Sequence, residues 1–224
     1  MKKILITGGA GYIGSHTAVE LWNAGLEPII LDDFSNSHET VLDRLAEITG
    51  KRFAFYKGDC NQREILDQIA QDHQLAGVIH FAAFKAVGES TQQPLAYYKN
   101  NLGSLLVLLE FMQEKGIQNN VFSSSCTVYG QPDVLPVTEA TPRKDAESPY
   151  GNTKKIGEDI LVDYVKSKPG IRVVALRYFN PVGAHPSAKI GELPMGTPQN
   201  LVPFLTQTAA GIRAKLTVFG NDYD

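Results

Sequence analysis

Lys3-Ile4-Leu5-Ile6-Thr7-Gly8-Gly9-Ala10-Gly11-Tyr12-Ile13-Gly14 is the stretch whose reading decides the fold. An apolar run of strand length stops at a glycine-rich turn, and the turn opens into a segment of helical period. Glycines at 8, 11 and 14 let the backbone approach a pyrophosphate at the helix N-terminus, where free N–H groups and the helix dipole favour an anion. The spacing is G-x-x-G-x-x-G rather than G-x-G-x-x-G, and Gly8-Gly9 could also be a bare tight turn. Asp32 supplies context. It ends the next apolar run 18 residues past Gly14, where a carboxylate can accept from both ribose hydroxyls. Its plainer alternative is a strand-end turn residue or a helix cap. A carboxylate there repels a 2′-phosphate, and no arginine lies between Leu31 and Asp43; the reading therefore favours NAD over NADP.

Working outward, short apolar runs recur at 4–7, 28–31, 53–56, 78–81, 121–124 and 172–176. Between them lie segments of helical length and period at 12–24, 40–49, 62–71, 94–114 and 149–166. Strands joined by crossover helices imply a parallel sheet covered on both faces, a Rossmann-type doubly wound α/β fold. After Arg177 the texture shifts to prolines and glycines, with a last apolar helix expected at 201–212 and a strand-like run at 216–219. This divides the chain into a nucleotide-binding domain, 1–178, and a smaller substrate-side lobe, 179–224. The lobe is expected to be incomplete.

The second constellation is Ser148-Pro149-Tyr150-Gly151-Asn152-Thr153-Lys154. A spacing of four stacks the Tyr150 phenol and the Lys154 ammonium on one helical face. A phenol near its ordinary value of about 10 is a poor base until positive charge lowers it. Ser123-Ser124-Ser125-Cys126-Thr127 closes the fifth strand and brings a serine to the same sheet edge. With a nicotinamide nearby, the set becomes a proton-transfer device coupled to hydride transfer. By itself a Tyr–Lys pair at this spacing is often only a solvated helix face. Cys126 suggests a thiol nucleophile, but no base accompanies it, and packing is the simpler role. The histidines at 16, 38, 73, 80 and 185 show no metal-ligand spacing, so no metal is expected.

The 224 residues carry a net charge of −3, with 20% charged and 43% apolar residues. No basic surplus invites nucleic acid or an anionic membrane. No apolar run approaches the roughly 20 residues needed to span a bilayer. Two cysteines without paired spacing and a chain that enters a strand at once suggest a cytoplasmic protein.

The pieces T-G-G-A-G-Y-I-G-S-H, F-A-A-F-K-A-V-G-E-S, S-S-S-C-T-V-Y-G, S-P-Y-G-N-T-K and R-Y-F-N-P-V-G-A-H-P carry a resemblance. The chain resembles the extended short-chain dehydrogenases/reductases, and among them the UDP-glucose 4-epimerase family. The resemblance implies NAD as cofactor and UDP-glucose and UDP-galactose as small-molecule substrates. It places Ser125, Tyr150 and Lys154 at catalytic positions. It further implies cofactor contacts from Gly8, Gly11, Tyr12, Ile13, Gly14, Asp32, Asp33 and Asn36, then from Asp59 and Cys60. Phe81, Ala82, Ala83, Lys85, Asn100 and Ser123 follow, with Tyr150, Lys154, Tyr178 and Phe179. Lys85, Ser125, Tyr150, Phe179, Asn180, Asn200 and Leu201 fall where the family meets the UDP-sugar. Sugar-nucleotide 4,6-dehydratases resemble this chain too, but they carry an acid pair after the threonine of the serine strand; here Val128-Tyr129 follow Thr127. A non-catalytic NAD-binding module is the remaining alternative. A homodimer through helices 94–114 and 149–166 is expected from the stripes Leu102, Leu106, Leu109 and Ile156, Ile160, Tyr164.

Overall fold

The computed structural model describes residues 1–222. Six strands, β1 (Lys3–Thr7), β2 (Glu27–Asp32), β3 (Ala54–Lys57), β4 (Leu75–His80), β5 (Asn119–Ser125) and β6 (Arg172–Tyr178), form one sheet in the order β3-β2-β1-β4-β5-β6. Every neighbouring pair is parallel. The chain leaves β1 toward one edge, then returns to β4 on its other side. The crevice beyond the carboxyl ends of β1 and β4 is therefore the topological switch point, where ligands of such sheets bind. Register lines these ends up: Thr7 pairs with Leu31 on one side and His80 on the other, and Ser125 pairs with Tyr178.

Strand alternation divides the core into two layers. Leu5, Ile29 and Leu31 face one way and join Leu66, Ile69, Leu105, Leu108, Phe111 and Leu161. Ile6 and Ile30 face the other way and join Ala18, Val19, Leu45 and Phe53. The first layer lies under α3 (Arg63–Asp72), α5 (Pro94–Lys115) and α6 (Pro149–Ser167); the second lies under α1 (Tyr12–Asn23) and α2 (Thr40–Thr49). Each fully buried aliphatic side chain contributes roughly 1.5–3 kcal/mol. Helix ends are set locally. Ser148 accepts from Gly151 N–H at 3.1 Å while Pro149 opens α6, and Gly50 closes α2 at φ 68°.

The structure departs from the sequence reading in four places. A short helix, α4 (Val87–Gln92), precedes α5; its Gly-Glu-Ser-Thr-Gln run has no apolar period to betray it. The Ser strand ends in a 3-10 turn, Cys126–Tyr129. The last helix, α7 (Leu201–Ala209), stops short of 212, where Gly211 at φ 74° turns the chain away. The run 216–219 pairs with no strand and leaves Val218 and Phe219 at 77% and 95% exposure, because apolar character without a partner edge does not make a sheet. Positions 223 and 224 of the expected lobe lie outside the described residues. Among the described residues no helix is long and apolar enough to cross a membrane, and no cluster of three or more His, Cys, Asp or Glu could hold a metal ion.

Candidate active site

The glycine turn is packed so closely on itself and on the loop after β4 that side chains would not fit. Gly8 has φ 69°, and a Cβ there would sit 2.8 Å from the Ala82 nitrogen; one on Gly14 would sit 2.2 Å from the Gly8 carbonyl oxygen. Glycine is required at both positions, on two separate grounds for Gly8. Asp32 is buried at the end of β2. It accepts from Ala10 N–H at 2.9 Å, Phe34 N–H at 2.9 Å and the Ser37 hydroxyl at 2.8 Å. A carboxylate has about four acceptor directions, so these bonds fix its orientation and leave room for a further donor. Phe34, at φ 61°, bends the chain so that its own N–H reaches back. Ser37 escaped the sequence reading; its burial and its reach to Asp32 mark it as a holder of the acid. Asp33 and Asn36 are exposed beside this turn, where Asp33 accepts from Ser35.

Beyond β3, Asp59 accepts from both the N–H and the side-chain amide of Asn61 at 2.8 and 2.9 Å, and that amide also donates to Asn100 at 3.2 Å. The structure thus brings Asp59 and Asn100 together through Asn61, a residue no motif singled out. Cys60 is buried, and burial beside Asp59 pushes its thiol up to about 12, which suits packing and not chemistry. Phe81, Ala82 and Ala83 follow β4, with Phe81 and Ala82 donating backbone N–H to the Thr7 carbonyl at 3.0 and 3.1 Å. Asn101 then clamps this loop to the helices. It accepts from Phe84 N–H at 2.8 Å and donates to Phe84 O at 3.0 Å and Thr153 Oγ1 at 3.1 Å.

The catalytic candidates meet at the end of β5. Ser125 is buried and caps the 3-10 turn by accepting from Thr127 N–H. Lys154, 4% exposed, donates to the Ser123 carbonyl at 2.7 Å and lies 5.9 Å from the centroid of the Tyr150 ring. Burial drives its ammonium down to about 8. Tyr150 moves the other way. Burial raises its phenol, the Ser125 hydroxyl pulls it down, Cys126 raises it again, and the net direction is up. Among the protein's own groups, desolvation outweighs the Ser125 bond; the expected lowering draws on Lys154 and a nicotinamide ring together. His80, between Thr7 and Lys154, is held neutral by burial and by the lysine, its value down to about 3; its Nδ1 lies 2.7 Å from Thr7 Oγ1.

The residues expected to meet the sugar nucleotide are only partly assembled. Tyr178 ends β6, half-buried, whereas Phe179 is 62% and Leu201 67% exposed, and Asn180 is exposed as well. Glu192 joins two of the set: Asn200 donates to it at 2.6 Å and Lys85 lies 3.8 Å away. Tyr12 lies at the start of α1 and reaches the Gly183 carbonyl at 2.7 Å, with Ile13 half-buried beside it. This tethers the segment after β6 to the glycine turn.

A parallel sheet of this order, a glycine cradle ending in an acid and a Ser–Tyr–Lys group define a dinucleotide-dependent oxidoreductase-type site. A family model described as GDP-mannose 4,6 dehydratase matches residues 5–224, and the chain belongs to this family of extended short-chain dehydrogenases/reductases. Its similarity runs to UDP-glucose 4-epimerases. The Haemophilus influenzae enzyme is 51% identical over 221 residues, covering 99% of this chain and 65% of its own. That of Bacillus subtilis is 52% identical over 220 residues, covering 98% and 65%. The chain thus spans about 65% of the length of the curated relatives it matches. Among solved structures, UDP-glucose 4-epimerase from Bifidobacterium longum in complex with NAD+ and UDP superposes with a TM-score of 0.96 at 45% identity, over 100% of this chain and 67% of that one. The Stenotrophomonas maltophila enzyme, with bound NAD and formylated UDP-arabinopyranose, gives 0.96 at 46% over 100% and 66%.

Proposed function

We propose that the protein interconverts UDP-glucose and UDP-galactose by oxidising the sugar at C4, letting the 4-keto sugar turn over, and reducing it on the opposite face. The observation that carries the reading is the convergence of Ser125, Tyr150 and Lys154 at the end of β5, on the same sheet edge as the glycine cradle and Asp32. The relatives' identity supports the substrate.

The cradle fits NAD. Gly8 and Gly14 let the turn pack closely on itself and on the loop after β4, which keeps the backbone at the start of α1 open to a pyrophosphate, and Asp32 offers a carboxylate to a ribose while disfavouring a 2′-phosphate. We assign Asp59, Asn100 and Phe81 to Ala83 to the same cofactor site. When bound, NAD would supply the hydride acceptor and donor. Tyr150 takes the proton from the C4 hydroxyl and later returns it. Lys154 holds the phenolate through charge, and Ser125 hydrogen-bonds the hydroxyl and then the ketone oxygen. Lys85, Asn180, Asn200 and Leu201, with Phe179, belong to the sugar-nucleotide side, which we assign to the lobe from residue 179 onward. Val128 and Tyr129, 0% and 5% exposed, fill the positions after Thr127 where a dehydratase would need acids. This favours epimerisation over elimination of water.

We further propose a cytoplasmic homodimer through α5 and α6. Its face is narrower than the sequence stripe, because Leu109 is consumed by the core and Ile160 and Tyr164 pack against it. Leu106 and Val162, 47% and 48% exposed, remain available. A coupled assay with UDP-galactose and NAD tests the function: conversion abolished by Tyr150→Phe is expected, and conversion that survives it overturns the reading.

A further inference from the structure

Glu158 lies four residues beyond Lys154 and eight beyond Tyr150, on the same face of α6. Its side chain is 7% exposed. One oxygen accepts from the Ser124 hydroxyl at 2.5 Å and from Arg177 Nε at 2.9 Å; the other accepts from a terminal nitrogen of Arg177 at 2.8 Å and from Arg143 at 3.4 Å. Ser124 immediately precedes Ser125 on β5, and Arg177 immediately precedes Tyr178 on β6. The Arg177 guanidinium also lies 4.9 Å from the centroid of the Tyr129 ring, in the 3-10 turn that follows Ser125. A single carboxylate therefore bolts the helix bearing Tyr150 and Lys154 to both strands and the turn that complete the site.

The helix is seated closely along the same line. A Cβ on Gly157 would meet the Phe122 ring at 2.8 Å, and one on Gly151 would meet Thr127 at 3.1 Å. Those glycines set the height of α6 over β5, but two smooth contacts do not fix its slide or rotation. Directional, charge-assisted bonds do, and the bidentate Arg177 pair is the most directional kind. Burial pushes the Glu158 carboxyl up, yet the bonds from Arg177 and Ser124 outweigh it and hold it below its ordinary value. It is an anion in the folded protein. Neither Ser124, Glu158 nor Arg177 points to a ligand, and the proton-transfer steps leave all three unused.

We propose that Glu158 is a positioning residue for the proton transfer, holding α6 in the register that presents Tyr150 to Ser125 and Lys154 to the Ser123 carbonyl of β5. The proposal rests on the epimerase reading for its consequence in turnover, but not for its geometry. The groups facing Tyr150 are Ser125 of β5, Cys126 of the turn, Tyr97 of α5 and Lys154 on its own helix, with His80 of β4 beyond the lysine. Loosening α6 moves the phenol away from the Ser125 hydroxyl, the group that lowers it.

The test uses the NAD-loaded protein with Glu158→Gln and the milder Ser124→Ala, which removes one bond without emptying the ion pair. An ultraviolet phenolate titration, with Tyr150→Phe as blank, reads the tyrosine directly. The expected result is an upward shift of the Tyr150 titration by about half a unit or more in both variants. With it, kcat for UDP-galactose falls about tenfold while KM stays within about twofold. An unmoved Tyr150 titration overturns the proposal, whatever happens to melting temperature or turnover. Should Glu158→Gln fail to fold, Ser124→Ala decides alone. A parent protein that binds NAD but does not epimerise removes the epimerase reading, and the titration still judges Glu158.

Discussion

The sheet and the segment after it are built differently. Nearly every buried apolar side chain lies before residue 178; past it Ile190 alone among the described residues enters the core, plugging the layer under α1 and α2. The same stretch leaves Val182, Leu193, Leu201, Ile212 and Phe219 largely in solvent. The groups proposed for the cofactor are likewise held in place: Asp32 has three donors, Asp59 is tied to Asn100 through Asn61, and Lys154 rests on a carbonyl. Those proposed for the substrate, such as Phe179, Asn180 and Leu201, stand exposed. Under the proposed function, the difference predicts that dinucleotide binding and sugar turnover are separable, the first resting on the sheet and the second on groups beyond it.

The most severe way to break that separation is Tyr150→Phe. It removes the proton carrier alone, so turnover should fall by ~10²–10⁴ while NAD extracted from the purified protein stays at the parental level. Loss of NAD together with turnover would place the tyrosine in the cradle instead.

Packing should show the same asymmetry. Leu105, fully buried on α5, should cost about 2–5 kcal/mol when changed to alanine. Val218→Ala should stay within about 0.5 kcal/mol. Chemical denaturation of both variants checks the contrast, and similar losses would mean that the last segment is packed as tightly as the sheet.

Asp32→Ala should weaken NAD binding roughly ten- to a hundredfold, the worth of a charge-assisted hydrogen bond of about 1.5–3 kcal/mol. Titration calorimetry reads it. Ser37→Ala should weaken binding less, because two backbone donors still orient the acid.

Lys154 gives an effect that shows in its pH dependence and not in its size at any one pH. Its folded value, about 8, lies below the ordinary 10.5. Below about pH 8 both folded and unfolded chains carry the proton, so folding bears the whole cost of burying the ammonium. Between about 8 and 10.5 the unfolded chain holds more protons, and stability rises with pH as the buried amine goes neutral. The cost is on the order of 3 kcal/mol, offset in part by the bond to Ser123, which Lys154→Met also removes. Relative to its parent, Lys154→Met should therefore be more stable at pH 7 than at pH 10.5, although its turnover falls. Melting temperatures of the pair across that range decide; a difference independent of pH would show that the lysine is charged at no cost.

The sheet was legible because each strand is an apolar run bounded by turn residues, and because β1, Gly8 to Gly14 and Asp32 appear in the order that only a strand–turn–helix–strand unit needs. Tyr150, Lys154 and Ser125 were legible as a pattern of residue types. Their electrostatics were not, since the direction of the Tyr150 shift depends on burial that spacing does not encode. Ser37, Asn61, Asn101, Glu158 and Glu192 were missed for one reason. Each acts by hydrogen-bonding a residue already singled out or its immediate neighbour in the chain, and polar partners brought together by the fold carry no periodicity. The run 216–219 failed in reverse, its composition suiting a strand that has no neighbour here.

The separation of cofactor binding from turnover meets its most direct test in the NAD content of the 224-residue chain. Denaturing the purified protein and quantifying the released dinucleotide should return NAD, not NADP, approaching one molecule per chain. Release of no dinucleotide, together with no binding on titration, would contradict the claim that the sheet and its glycine cradle hold the cofactor by themselves.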